Sequence, residues 1–212
     1  MITAVLAAWR EVRAIVLGLL GLTVLLWLKQ RWLALISVGV LGWVIAFFRD
    51  PDRSPASTSP DAILAPADGR LMEIDWEEEP HFIGGPARRI TIFLSLFDVH
   101  VQRSPYAGEV QYLHYQPGRF VPAYRHDAHL NEANMIGLKT AHGPMLIKQI
   151  AGILARRIVC WAEPGDQLAT GQRLGLIRFG SRVDLLLPPQ VDLEVEIGQQ
   201  VYGGQTIVGR WQ

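Results

Sequence analysis

A serine preceded by glycine is where this chain could do chemistry on itself. Arg178-Phe179-Gly180-Ser181-Arg182-Val183-Asp184 follows an apolar run, Leu174 to Ile177, and leads into another, Val183 to Leu187, so Ser181 falls at a strand junction. Glycine lacks the Cβ that would shield its carbonyl, and it adopts backbone angles that cost other residues strain. The Ser181 hydroxyl can therefore reach the Gly180 carbonyl carbon, which permits self-cleavage where a base is near. As a bare dipeptide, Gly-Ser reads first as a turn. The base suggested by residue type is His100, in Ser95-Leu-Phe-Asp-Val-His-Val-Gln-Arg-Ser-Pro105, because imidazole titrates near neutrality and accepts a hydroxyl proton. A lone histidine at a strand end is more often structural. Asp68, in Pro66-Ala-Asp-Gly69, reads first as a turn-former bonded to its own backbone. His126, His129 and Glu132 are three residues apart, which on a helix would align them as metal ligands. Asp127, Asn131 and Asn134 in the same stretch favour a loop instead, and no metal is expected. The single cysteine, Cys160, excludes an internal disulfide and multi-cysteine metal sites.

The elements that must position these residues occupy two unlike parts of the 212-residue chain. The first 48 residues carry two apolar runs, Ala14 to Leu28 and Trp32 to Phe48, each about 22 to 26 Å long as a helix. Leu17 to Trp27 is apolar all round, which suits a membrane better than one face of a core. No small-residue cleavage site separates the runs, so a signal peptide fits poorly. Lys29-Gln30-Arg31 would turn a hairpin. Arg10, Arg13, Arg49 and Arg53 outnumber the two cations of that turn, which favours a cytoplasmic domain, and Trp9, Trp27, Trp32 and Trp43 suit interfacial anchors. Residues 49–62, rich in proline, serine and charge, form a linker.

From residue 63 to 212 the pattern is short strands between glycine turns. Strands are expected at Ile63 to Ala65, Leu71 to Ile74, Arg89 to Leu96, Glu109 to Tyr115, Ile136 to Leu138, Met145 to Ile150 and Arg157 to Trp161, with an acidic loop at Asp75 to Glu79. The tail repeats itself: Gly165-Asp-Gln-Leu-Ala-Thr-Gly-Gln-Arg-Leu matches Gly198-Gln-Gln-Val-Tyr-Gly-Gly-Gln-Thr-Ile at an offset of 33. Two such hairpins imply two related β layers. The rhythm resembles the biotinyl/lipoyl hammerhead, and Pro66-Ala-Asp-Gly-Arg looks like a further strand-turn of that type. No lysine follows Lys148, so the repeat is not a swinging-arm carrier. With 20 basic and 20 acidic residues there is no basic field for nucleic acid.

Taken in order, Phe48-Arg-Asp-Pro, Pro66-Ala-Asp-Gly, Phe97-Asp-Val-His-Val-Gln-Arg-Ser-Pro, Asn131-Glu-Ala-Asn and Phe179-Gly-Ser-Arg-Val-Asp resemble the phosphatidylserine decarboxylase proenzymes of the short, single-domain type. The resemblance covers residues 48–212; longer bacterial members have Leu-Gly-Ser-Thr where this chain has Phe-Gly-Ser-Arg. It implies a mainly β, hammerhead-type sandwich after an N-terminal helical hairpin. It also implies cleavage between Gly180 and Ser181, with Ser181 becoming a pyruvoyl group. In this reading Asp68 orients His100, His100 takes the Ser181 proton, and the pyruvoyl ketone replaces pyridoxal phosphate as electron sink. The implied partners are phosphatidylserine, the bilayer, and the two fragments 1–180 and 181–212 for each other, at the cell membrane with the catalytic domain on the cytoplasmic side. Five matters stay open on the sequence: an ether-lipid analogue as substrate, which of Arg103, Arg119, Arg178 or Arg182 hold the phosphate, whether His100 serves both cleavage and turnover, whether the hairpin spans the bilayer or lies in its interface, and a homo-oligomer. Another pyruvoyl-dependent decarboxylase would have no use for the hydrophobic hairpin. A membrane-tethered lipoyl-like adaptor would leave Gly180-Ser181 a simple turn.

Overall fold

A computed structural model of the protein describes residues 2–54, 59–153, 157–178 and 180–212. Residues 55–58 of the linker, Phe179 and the His126 side chain lie outside the described residues. The chain divides into two units, Met1–Pro51 and Asp52–Gln212.

The first unit is a pair of helices, α1 (Ile2–Lys29) and α2 (Arg31–Phe47), broken at Gln30, where no side chain caps the second helix. Val12, Val16 and Val44 pack between them with Leu19, Leu41 and Phe48. The Thr23 hydroxyl lies 2.7 Å from that of Ser37 across the pair. Leu17, Leu25, Leu28, Leu35 and Ile36 remain well exposed. Glu11–Lys29 is long and apolar enough to cross a membrane, and the 17-residue α2 is shorter.

The second unit is β throughout. In chain order its strands are β1 (Ala62–Leu64), β2 (Gly69–Glu79), β3 (Gly85–Leu94), β4 (Val101–Arg103), β5 (Gly108–Gln116), β6 (Ala133–Lys139), β7 (Pro144–Ile150), β8 (Ile158–Cys160), β9 (Gln167–Leu168), β10 (Arg173–Ile177), β11 (Ser181–Leu187), β12 (Val191–Leu193), β13 (Gln200–Val201) and β14 (Ile207–Trp211). An eight-stranded sheet runs β13-β2-β3-β11-β7-β6-β5-β9, and two three-stranded sheets run β1-β14-β12 and β4-β10-β8. One face of the large sheet carries Leu71, Ile90, Ile92, Leu94, Ile136, Leu138, Met145, Ile147, Val183, Leu185 and Leu187 into the main core. On the other face Leu146, Leu186 and Ala87 form a smaller cluster with Phe82 and Tyr112. β11 lies between β3 and β7 and is covered on both faces, so all seven of its residues are buried. That is why its sequence reads as a run and does not alternate.

The tail repeat is a repeat of backbone geometry. Gly165 and Gly198 have φ of 95° and 91°, and Gly171 and Gly204 have φ of 77° and 73°. Each copy docks on a matching segment upstream. Gly198 N donates to Leu71 O and Gly165 N to Val110 O, both at 2.8 Å, while Gly204 N reaches Ala65 O and Gly171 N reaches Ser104 O, also at 2.8 Å. Leu64-Ala-Pro-Ala-Asp-Gly-Arg-Leu71 is thus the counterpart of Arg103-Ser-Pro-Tyr-Ala-Gly-Glu-Val110. The two grip each other reciprocally, Leu64 N on Pro105 O at 2.9 Å and Arg103 N on Pro66 O at 2.8 Å. Asp68 has Ala107 as its counterpart, so its carboxylate belongs to one half only.

Two sequence expectations are corrected. Asp75 to Glu79 is not a loop but the second half of β2. Its acids are matched from the next strand, where Arg89 pairs with Glu73, Asp75 and Glu77 at 3.2–3.4 Å, and Lys148 Nζ lies 2.5 Å from Glu77. The polar stretch after Arg125 forms a 3₁₀ turn, His126–Leu130, but Asn134 belongs to β6 and is buried.

Candidate active site

Ser181 opens β11 and is fully buried. Its side chain lies on the face that Val183, Leu185 and Leu187 turn to the core, because side chains alternate along a strand. The hydroxyl oxygen has no hydrogen-bond partner among the described residues. A buried hydroxyl ordinarily finds one, and leaving it without costs on the order of 1–3 kcal/mol. Gly180, just before it, has φ of 50°, a left-handed angle that glycine holds without strain. A methyl placed on Gly180 would lie 3.8 Å from Leu96 Cδ2.

His100 is 2% exposed, at the entry to β4. Its Nδ1 lies 2.9 Å from the Asp98 carbonyl. A carbonyl can only accept, so Nδ1 carries the hydrogen and a neutral ring keeps its lone pair on Nε2. The His100 backbone oxygen accepts from Ile177 N at 3.4 Å and from Gln102 Nε2 at 2.8 Å. Ile177 ends β10, and Ser181 follows after a short turn, so histidine and serine are brought to the same end of β10. Gln102 continues inward: its side-chain oxygen accepts from Gln149 Nε2, and that of Gln149 accepts from Asn134 Nδ2, both at 2.9 Å. Both glutamines are fully buried. A buried amide chain with its partners satisfied holds one geometry, and here it fixes the β4 backbone from which His100 projects.

Asp68 is 4% exposed. Arg53 grips it with two nitrogens, Nη2 at 2.7 Å from Oδ2 and Nη1 on Oδ1, and the Gly203 amide donates to Oδ1 at 2.8 Å. Arg53 also donates to Gly203 O at 2.7 Å. The residue read from sequence as a flanking charge is therefore the fork that holds Asp68. The Arg103–Pro66 bond lays the Asp68 segment beside the strand that begins at His100. Both Asp68 oxygens, however, are engaged by Arg53 and the Gly203 amide. The carbonyl of Asp98, not the Asp68 carboxylate expected from the sequence, orients the His100 ring.

Of the four arginines considered for phosphate, Arg182 is bound to Asp184 at 2.7 and 2.9 Å and to Thr91 at 3.2 Å. Burial alone would lower the Arg182 pKa, but the Asp184 carboxylate outweighs it and raises it. Arg103 Nη1 donates to Gly171 O at 3.2 Å. A cavity of about 440 Å³ lined by Arg89, Lys148, His129 and Asp184 opens on the sheet face opposite the Ser181 side chain.

Three residues close on the junction from separate loops: Leu96, Gly152 and Ala123. Gly152 stands against the Gly180 carbonyl, and Ala123 stands against Gly152. Asn131 holds the last two loops together, donating to Val121 O at 2.8 Å and Ala151 O at 2.7 Å and accepting from Val121 N at 2.9 Å. The sequence offers Asn131 only as a loop-former within a motif and Arg53 only as a flanking cation, and it offers nothing for Gly152.

Fold and junction together define a mainly β, internally duplicated protein built around one buried glycine-serine step. Comparison with known proteins gives the family: the sequence model of phosphatidylserine decarboxylase matches residues 40–209. The chain is 44% identical over 191 residues to the phosphatidylserine decarboxylase proenzyme of Carboxydothermus hydrogenoformans, covering 89% of each protein. It is 46% identical to that of Salinibacter ruber, covering 87% of this chain and 82% of the relative, and 45% identical to that of Symbiobacterium thermophilum, covering 91% and 90%. The chain belongs to the phosphatidylserine decarboxylase family.

Proposed function

We propose that the chain is a self-processing decarboxylase that converts phosphatidylserine to phosphatidylethanolamine and carbon dioxide in phospholipid biosynthesis, working from a pyruvoyl group made from Ser181. The observation that carries this is the Ser181 hydroxyl, buried and without a hydrogen-bond partner among the described residues, directly after a left-handed glycine. A turn in an adaptor would gain by giving that hydroxyl a partner or by replacing it with alanine.

His100 takes the hydroxyl proton through Nε2, while Asp98 O holds its tautomer. Asp68 is paired with Arg53 and the Gly203 amide, so it acts by fixing the segment beside the His100 strand and not by contact with the ring. The serine oxygen attacks the Gly180 carbonyl carbon, the peptide C–N bond breaks, and the amine takes a proton. Elimination of the resulting ester frees the Gly180 carboxylate and leaves a dehydroalanine, which water converts to a pyruvoyl group with release of ammonia. A pyruvoyl group at position 181 fits a buried position whose side-chain oxygen has no hydrogen-bond partner among the described residues. It supplies a ketone that binds the substrate amine and accepts the electron pair left by carbon dioxide. His100 is then the proton donor that completes turnover.

A lipid substrate accords with the rim of the site. Phe97, Tyr124 and Ile153, exposed at 78%, 64% and 56%, each follow directly on a residue that closes on the junction. Together with the apolar helix pair, this suits work at a membrane, with the β unit on the cytoplasmic side. The test is the intact mass of the purified protein beside its Ser181→Ala variant. The expected result is two fragments from the wild type, split after Gly180, the smaller lacking the elements of ammonia relative to a serine start. The variant should stay whole. A single uncut chain in both folded samples overturns the proposal and favours the adaptor.

A further inference from the structure

Gly152 is not glycine for the sake of its torsion angle, since its φ is not among the left-handed ones. Space excludes a side chain. A methyl carbon built there would stand 2.1 Å from the Gly180 carbonyl oxygen, 3.2 Å from the carbonyl carbon and 3.3 Å from Ala123 Cβ. Real Cβ atoms essentially never approach another heavy atom within 3.0 Å, and the nearest obstacle here is backbone, which cannot swing aside. The approach follows from register. Ile150 of β7 pairs with Arg182 of β11 in an antiparallel ladder, so two residues further the chain brings Gly152 opposite Gly180.

The segment carrying Gly152 is pinned on both sides. Ala151 N donates to Glu132 O at 2.9 Å, and Ala151 O accepts from Asn131 Nδ2 at 2.7 Å. Asn131 is fully buried and holds the Val121 backbone through both its oxygen and its nitrogen. The flat backbone at Gly152 is thereby fixed against the one carbonyl that Ser181 must attack.

We infer that the Asn131-held Ala151–Gly152 segment is the platform that positions the scissile carbonyl for self-processing, with Gly152 as a positioning residue. This rests on the self-processing reading above. During the attack the Ser181 Oγ–C bond forms, the Gly180 C–N bond breaks, and the hydroxyl proton passes by way of the base to the leaving nitrogen, with nothing oxidised or reduced. A side chain at 152 displaces the carbonyl from this position before any of this begins. After cleavage Gly180 is a free chain end and no longer has to be held. Holding the carbonyl therefore matters before the cut.

The experiment follows cleavage of newly synthesised full-length wild type, Gly152→Ala and Ser181→Ala over time, with melting curves of the uncut chains and decarboxylation per pyruvoyl group in whatever fraction matures. Gly152→Ala should cut more slowly by on the order of a hundredfold, the scale on which a misplacement of about 1 Å slows a positioned reaction. It should melt cooperatively near the uncut Ser181→Ala chain and, once cut, lose at least tenfold less in turnover per pyruvoyl than it loses in cleavage. Cleavage at the wild-type rate overturns the inference. So does a turnover loss as large as the cleavage loss, or failure to melt cooperatively, since either makes Gly152 a general support of the fold. If the wild type itself stays whole, the self-processing reading falls, and that result is distinct from all of these.

Discussion

Replacing Arg53 by alanine strands the Asp68 carboxylate. The two side chains are 8% and 5% exposed, so solvent neither screens the pair nor takes over the lost bonds. Alanine removes both guanidinium contacts and the donor to Gly203 O, leaving Asp68 with the Gly203 amide. Removing one partner of a buried, hydrogen-bonded ion pair costs about 3–5 kcal/mol. In a unit of this size about 1 kcal/mol moves the melting temperature by roughly 2–4 °C, so Arg53→Ala should melt roughly 6–20 °C lower. The comparison is best made on a Ser181→Ala background, where one uncut chain unfolds, by calorimetry in detergent. Adding Asp68→Ala to Arg53→Ala should recover part of the loss, because the uncompensated charge goes with it. A melting point within about 2 °C of the parent, or a double variant no better than the single one, would refute the reasoning and make the fork a surface-like contact.

Two further predictions concern the cut chain and acid. β11 begins at the cut and carries Val183, Leu185, Leu186 and Leu187, all fully buried, between two strands of the other fragment. At about 1.5–3 kcal/mol each, those four side chains contribute on the order of 6–12 kcal/mol, an upper bound. The fragments should therefore elute together in size-exclusion chromatography and separate only in denaturant; dissociation in mild detergent would contradict this placement of β11. Burial would raise the Glu79 pKa, but the amides of Ile83, Phe82 and His81 donate to its carboxylate at 2.7–3.1 Å and lower it below the ordinary 4.5. A lowered carboxyl pKa stabilises the fold above its unfolded value, and that contribution fades as pH falls through the folded value. Amide exchange at residues 81–83 should then accelerate beyond its intrinsic trend only below about pH 4.5, and Glu79→Gln should lack the step. A step at higher pH, or none in the parent, would contradict the assignment.

Local pattern was enough for the units of structure. Two uncharged apolar runs cannot be other than helices if they are to satisfy their backbone away from water, and glycine at fixed intervals marks the hairpin turns because left-handed angles are nearly its preserve. The Gly-Ser junction was legible for the same reason, since its chemistry lies in adjacent residues. The acidic half of β2 misread as a loop because its neutralising cations, Arg89 and Lys148, lie on other strands. The strand-turn at Ser104 to Val110, twin of the Asp68 turn, went unread because its residues share little beyond proline and glycine with their counterparts.

What the sequence by itself determined, then, was which stretches form apolar helices, which form short strands between glycine turns, and where a serine hydroxyl directly follows a glycine carbonyl. What only the tertiary structure decided was the company those groups keep: Arg53 on Asp68, the Gln102–Gln149–Asn134 chain beneath His100, and Gly152 against Gly180. Each joins segments that are separate in the chain. Such contacts depend on strand order and register, which arise when separate segments share one core and which no local window of sequence contains.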